Sequence, residues 1–440
     1  MNNKKWMAIL LGGIMAASLA APCSVSAAEK TTLTFWHAMG GTNGEVLQQI
    51  VDDFNASQDE IEIKAEYQGT YDDTITKLKA AMQSESGLPD VCQMYDVGTK
   101  FMYDSGAVIP VEDKFESTGY DKSSVMDVIS SYYTVEGKQY AMPFNVSTPM
   151  LYYNKDVFEA AGLDPETPPT TYDEVLEDAK KIVESGAAPV GYSQAIYGWF
   201  FEQQLAGLGV TYGNNDNGRT EAVTAVDFDS NGGGLKVFDM WKKLYDSGYF
   251  EDYGTTTADT QTAFFSGQVG MIIESTAILK NAVDSSPFEV GTGYLPRIEQ
   301  NDEGGVIIGG GSLWLTDTGN EANEDAAWKF IEYITTPDVQ AKWSMGTGYF
   351  AINEKAYETD DMKAYLKENP NFETAINQLK DSPVNCNTAG VLSGVQTEAR
   401  LTFNEIMPQV YDGKLTTQDA VDQLAASVNK AIENYNESIK

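Results

Sequence analysis

The chain is poor in the residues that carry most enzymatic and metal chemistry. Among 440 residues there is one histidine, His37, and only three cysteines. No Cys/His spacing suits zinc, no Walker A loop is present, and no Gly-x-Ser-x-Gly elbow occurs. Basic residues are scarce, with 29 Lys and Arg against 65 Asp and Glu, a formal net charge of −36. That balance excludes nucleic acid and anionic lipid as main partners. It leaves room for a small anion in a closed pocket, because distant surface charge is screened. Beyond Ala28 no apolar run reaches about 18 residues, so the mature chain has no membrane-spanning helix by pattern.

What is present begins with a leader. Lys4 and Lys5 precede an apolar stretch from Met7 to Ala21, and Val25-Ser26-Ala27 offers small residues for cleavage, so residues 1–27 read as a signal peptide. Cys23 is the alternative lipidation point, but Pro22 beside it fits a lipobox poorly. Cys92 and Cys386 remain after cleavage. In an oxidising compartment they form either a disulfide or two free buried thiols, and spacing does not choose between these.

Strand and helix patterns then alternate. Thr32 to Trp36 reads as a strand, and Val46, Leu47, Ile50, Val51 and Phe54 have helical spacing. Ile61 to Tyr67 alternates as a half-buried strand, Ile75, Leu78, Ala81 and Met82 mark a second helix, and Asp90 to Tyr95 a third strand. This β-α-β-α-β order implies a parallel sheet, with ligands expected beyond the carboxyl ends of strands, where Tyr95 and Asp96 fall. A second α/β series starts near Tyr140. It contains a strand at Leu151–Tyr153 and a helix from Tyr172 to Ser185 with a Thr171/Glu174 capping box. Residues 212–234, rich in Gly, Asn and Asp, read as a surface loop. Helices follow at Val237–Tyr245, Ala326–Thr335 and Gln418–Ser438, and Val269–Ile273 reads as a buried strand. Two α/β lobes account for this length better than one sheet.

The segment Ile-Ile-Gly-Gly-Gly-Ser-Leu-Trp-Leu (307–315) places three glycines between apolar runs, a sign of close approach to the backbone. Aromatic residues near strand ends (Trp36, Tyr71, Tyr95, Trp199, Trp314, Tyr349) suit sugars and polyols, or simply pack the core, Trp314 above all. His37, at a strand end, reads as a packed or hydrogen-bonded structural residue rather than a general base. Acidic pairs such as Asp72-Asp73 read as solvated.

Several blocks together carry a family resemblance: Phe-Trp-His-Ala-Met (35–39), Tyr-Gln-Gly-Thr-Tyr (67–71), Pro-Phe-Asn-Val-Ser-Thr-Pro-Met-Leu-Tyr-Tyr-Asn-Lys-Asp (143–156), Ala-Gly-Leu-Asp-Pro (161–165), the 307–314 block and Thr-Gly-Tyr-Phe (347–350). The chain resembles the extracytoplasmic solute-binding proteins of ABC importers, and within them the sn-glycerol-3-phosphate-binding subfamily. The resemblance implies an α/β, two-lobed periplasmic-binding-protein fold with discontinuous lobes joined by crossover strands and the ligand in the cleft. The lobes are expected at 29–142 plus 312–348 and at 143–311 plus 349–440. It implies a monomer outside the cytoplasmic membrane, in the periplasm or on the outer face, that hands its ligand to importer permease subunits. No catalysis, cofactor, metal or nucleic acid enters.

Carried over position by position, the family's pocket falls on Tyr71, Asp96, Ser147, Ser275, Gly310, Tyr349 and Arg400. Arg400 is expected to give a bidentate fork to a phosphate, and Asp96 with Tyr71 to accept from glycerol hydroxyls. Read from its local sequence alone, Arg400 is a surface residue on a polar helix rather than a pocket residue. Two departures stand out. Asp96 replaces the family's usual Glu, and Ile196 replaces a pocket tryptophan, leaving Trp199 and Trp36 as wall candidates. The lost indole leaves room for a glycerophosphodiester. A neutral oligosaccharide is the alternative ligand, and a sugar or phosphodiester hydrolase the remaining one.

Overall fold

The computed structural model describes residues 30–84 and 87–439. The proposed signal peptide and Cys23 lie outside the described residues. In chain order the strands are β1 (Thr31–His37), β2 (Ile61–Tyr67), β3 (Val91–Tyr95), β4 (Val108–Ile109), the short hairpin β5 (Thr134–Val135) and β6 (Lys138–Gln139), and β7 (Met142–Ser147). They continue with β8 (Pro149–Asn154), β9 (Val190–Ser193), β10 (Val269–Ser275), β11 (Val290–Gly293) and β12 (Gly309–Thr316).

Two sheets organise the molecule. The first runs β2-β1-β3-β12-β4, with β7 also paired to β12; the second runs β11-β8-β10-β9. β1 lies parallel to β2 and β3, as the alternating β-α-β-α-β pattern requires, whereas β12 enters antiparallel from far along the chain. Alternation decides which face of β1 is buried: Leu33, Phe35 and His37 point inward. The helix Gly41–Ser57 covers that side with Leu47, Ile50, Val51 and Phe54. The helix Tyr71–Met82 starts at a capping box between Thr70 and Asp73. Asp73 is exposed, as read, and closes the box: its Oδ2 accepts from the Thr70 N–H at 2.9 Å while its own N–H donates to Thr70 Oγ1 at 3.2 Å; exposed Asp72 beside it accepts from the Tyr95 hydroxyl at 3.0 Å.

The chain changes sheets abruptly. β7 pairs with β12 in the first sheet and β8 with β10 and β11 in the second, and only Thr148 separates them. Both strands are buried along their whole length, which explains their apolar sequence. A second junction precedes Gly309. A third follows the helix Pro337–Thr347, where the Phe350 N–H donates to the Val146 carbonyl at 2.9 Å. There are two large cores: one around Phe35, Trp314, Trp328 and Trp343 that continues onto one face of the second sheet through Tyr152, Phe264 and Ile272, and one around Trp241, Phe201 and Phe403 on the other face of that sheet. Trp314 is fully buried, so its packing role holds.

The helix Tyr172–Ser185 starts and stops at the residues expected, with the Thr171/Glu174 box formed. The segment 212–234 departs from a surface loop. Tyr212, Val223, Val226 and Phe228 insert into the second core, and Asn217, buried, accepts from the N–H groups of Tyr212 and Gly213. Polar composition concealed these anchors, because four apolar residues without helix or strand spacing give no periodic signal. Arg219, in the same segment, is half-buried; it donates to the carbonyls of Gly390, Tyr132 and Ala389 and lies 5.2 Å over the Tyr132 ring. Cys92 and Cys386 are free thiols.

Candidate functional site

The first sheet delivers Tyr95 and Asp96 to the carboxyl end of β3, where Asp96 opens a short 3₁₀ turn. Opposite stands the helix Gln396–Tyr411, from the second core. Its buried face carries Gln396, Arg400 and Phe403 at helical spacing. Beside it lies the helix Gly198–Gly207. A Cβ on Gly198 would sit 2.5 Å from the Arg400 Cα, so only glycine lets these backbones approach this closely. One turn on, that approach brings Glu202 against Arg400.

Arg400 is buried and fully engaged on one edge. Its Nε donates to Glu202 Oε1 at 2.8 Å and its Nη2 to Glu202 Oε2 at 2.7 Å, a bidentate pair. Nη2 also donates to Asp96 Oδ2 at 2.7 Å, bridging from the second unit to the first. Gln396 Nε2 donates to Glu202 Oε1 at 3.0 Å. Burial alone would lower the Arg400 pKa, but the Asp96 and Glu202 carboxylates outweigh it and hold the guanidinium well above its usual range. Burial pushes the Glu202 carboxyl up, with Arg400 opposing. Tyr197, whose hydroxyl burial raises to about 12, feels Arg400, Asp96, Glu202 and Glu274.

An aromatic and amide group adjoins this cluster. Tyr71 stacks on Tyr95 with centroids 5.1 Å apart, and the Tyr95 hydroxyl meets the Thr397 hydroxyl of the facing helix. Asn145 Nδ2 donates to the Tyr71 hydroxyl at 2.7 Å, and Gln93 Nε2 to Asn145 Oδ1 at 2.6 Å. Tyr349 is in reach of both Tyr71 and Asn145 and stacks on Trp343 at 5.5 Å. Burial, then the neighbouring Tyr349, raises the Tyr71 hydroxyl well above its ordinary value.

The structure thus brings Tyr71, Asp96, Tyr349 and Arg400 into one neighbourhood. Ser147, at the end of β7, faces Gly309 across the ladder, and Ser275, at the end of β10, caps the turn that follows by accepting from the Ala277 N–H at 3.1 Å. Gly310 lies in β12 at φ +91°, where a Cβ would run into the Asn145 carbonyl oxygen, and a Cβ on Gly309 would sit 2.6 Å from the Trp199 ring. The close approach that the glycine tract announced is therefore made first by the protein's own backbone and indole. Trp199 is buried, and its Nε1 has no partner among the described residues. Ile196 is fully buried in the second core. Trp36 is not joined to the group: it stands half-buried on β1 with Nε1 donating to Glu66 at 3.0 Å. His37 is buried and accepts from the Met39 N–H at 3.3 Å, a structural role.

Glu202 was missed from sequence. The signal was present, since it is an isolated acid among Phe200, Phe201, Leu205 and Ala206, and a carboxylate on so apolar a stretch needs a buried partner. Among the described residues no group of three or more His, Cys, Asp and Glu is arranged to hold a metal ion.

Two α/β units joined by crossing strands, with charged and aromatic groups meeting between them, define a two-lobed cleft-binding protein. Solved structures share this fold. The glycerophosphocholine complex of UgpB from Mycobacterium tuberculosis matches with a TM-score of 0.79 at 20% identity, covering 92% of this chain and 99% of that one. The cyclic alpha-maltosyl-1,6-maltose binding protein of Arthrobacter globiformis matches with 0.76 at 25% identity, covering 92% and 100%. By sequence, the sn-glycerol-3-phosphate-binding periplasmic protein UgpB of Escherichia coli K12 is 31% identical over 417 residues, covering 93% of this chain and 94% of its own. The family model for bacterial extracellular solute-binding proteins matches residues 49–374, and the chain belongs to that family.

Proposed function

We propose that this protein captures sn-glycerol-3-phosphate or a glycerophosphodiester in its cleft and hands it to the permease subunits of an ABC importer. One observation carries the reading: a buried cation, Arg400, and a buried carboxylate, Asp96, come from opposite lobes and meet at 2.7 Å. A glycerol phosphate supplies the complement to both, oxygens for the guanidinium and hydroxyls for the carboxylate. Charge-assisted bonds of this kind contribute roughly 1.5–3 kcal/mol each. A few of them with lobe closure reach micromolar binding, about −8 kcal/mol. Tyr71, Ser147, Ser275, Gly310 and Tyr349 complete the site, with Ile196 and Trp199 as walls. The lobes divide at 29–142 plus 312–348 and 143–311 plus 349–440, and close on the ligand by a hinge at the crossing strands. The protein acts as a monomer, exported by its signal peptide to the periplasm or the outer face of the cell membrane, without catalysis or cofactor.

The occupied fork of Arg400 favours a second reading, a neutral oligosaccharide, since a compensated cation attracts an anion less. Calorimetric titration with sn-glycerol-3-phosphate, glycerophosphocholine and maltose decides between them. Binding of either phosphate, abolished by Arg400→Ala, supports the first reading; maltose binding that survives Arg400→Ala overturns it.

A further inference from the structure

The two units also meet away from the Arg400 cluster. A cavity of about 710 Å³ opens between them, lined by Ile75, Val97 and Phe101 from the first unit and by Val395, Leu401 and Tyr435 from the second. There the Tyr435 hydroxyl donates to Asp104 Oδ2 at 2.6 Å, joining groups 331 residues apart in the chain.

Each partner is held ready by its own unit. Asp104 lies near the end of the helix Thr99–Ser105, which follows the 3₁₀ turn that Asp96 opens. Its Oδ1 accepts from Lys100 one turn earlier, which leaves Oδ2 for Tyr435. Both side chains of that ion pair are only 12% exposed, and the Lys100 ammonium also lies 5.3 Å from the Tyr103 ring centre. Tyr435 stands in the last turn of the helix Thr417–Ser438, whose Val421, Leu424 and Val428 pack in the second core. Beside it, Asn436 Nδ2 donates to the Val223 carbonyl at 2.8 Å. A Cβ on Gly394 would sit 2.0 Å from Tyr435 Cζ, so the ring packs on bare backbone that only glycine leaves open. Burial, then Asp104, raises the Tyr435 hydroxyl above its ordinary value, so it stays protonated and donates.

We propose that Tyr435 and Asp104 form a latch that holds the cleft closed after capture, so that the C-terminal helix sets how long a ligand stays rather than which ligand enters. The bond involves none of Tyr71, Asp96, Ser147, Ser275, Gly310, Tyr349 and Arg400. A hinge at the crossing strands breaks it on opening and remakes it on closing. Both side chains are already ordered within their own units, so little of the gain from a hydrogen bond to a charged group is spent on fixing them. The inference rests on the reading that the two units close over a small ligand.

The test is stopped-flow association and dissociation on the mature protein, with glycerophosphocholine, sn-glycerol-3-phosphate and maltose as probes. Tyr435→Phe keeps the ring on Gly394 and removes only the hydroxyl. It is expected to raise the dissociation rate of whichever probe binds about tenfold, with the association rate changed less than about threefold. Asp104→Ala removes the acceptor and is expected to do the same, and the double variant no more than either single one, because the same bond is lost in each. An unchanged dissociation rate in Tyr435→Phe overturns the inference, and so do single effects that multiply in the double variant. A lower melting temperature of the free protein without faster dissociation marks a structural contact and overturns it too. Which probe binds is a separate outcome: maltose alone overturns the glycerol phosphate reading, and the latch is then read from maltose dissociation.

Discussion

Replacing Arg400 with alanine tests whether this cluster is a buried charge network or a surface ion pair. The substitution removes three charge-assisted bonds of 2.7–2.8 Å and leaves Glu202 and Asp96 facing each other without a cation. Three such bonds amount to roughly 4–9 kcal/mol before compensation. Release of the arginine side chain returns about 2 kcal/mol of rotamer entropy. Opening of the cleft relieves Asp96 but not Glu202, so the net loss falls near the lower end of the 3–5 kcal/mol typical of breaking a buried pair, about 3 kcal/mol. Urea unfolding at pH 7.5 and pH 5 measures it. Burial already raises the Glu202 carboxyl, and loss of Arg400 raises it further. The variant's Glu202 therefore takes up a proton as pH falls, and the deficit shrinks at pH 5. Arg400→Leu combined with Glu202→Leu is expected to recover most of the stability. A loss below about 1 kcal/mol, the value of an exposed pair, or an equal loss at both pH values, refutes the argument.

Gly310→Ala places a Cβ at φ +91° against the Asn145 carbonyl of the paired strand β7, so a loss of more than about 2 kcal/mol is expected in the same unfolding experiment; an alanine variant of wild-type stability refutes the assignment. His37 is depressed from 6.5 to about 4 by burial, so its contribution is complete above pH 6.5 and is lost as pH falls towards 4. Wild type should therefore lose melting temperature faster than His37→Gln over that window, and parallel curves refute the assignment. In the mature chain Cys386, half-buried, should react with a thiol reagent in the native state, whereas Cys92, buried with its thiol pushed to about 12, should react only on unfolding. Two unreactive cysteines that appear only after reduction show a disulfide instead.

Local pattern carried much of the fold. The Thr171/Glu174 box placed a helix start to the residue, and the alternation in β2 put Ile61 and Ile63 on its buried face. Those signals are legible because caps and pleats act over three or four residues. The segment 212–234 misled because its anchors lack any period. The glycine tract announced close approach, but its sequence did not say whether ligand or protein approaches; β7 and Trp199 do.

The sequence by itself determined the alternating α/β architecture and the acidic composition, and its shared blocks named Tyr71, Asp96, Tyr349 and Arg400, which the fold brings together. Tertiary structure alone decided what Arg400 is. Its helix reads as polar and exposed, and its partners stand 198 and 304 residues away. A buried charge is defined by what desolvates and compensates it, and for Arg400 both come from distant elements that meet only when the chain folds.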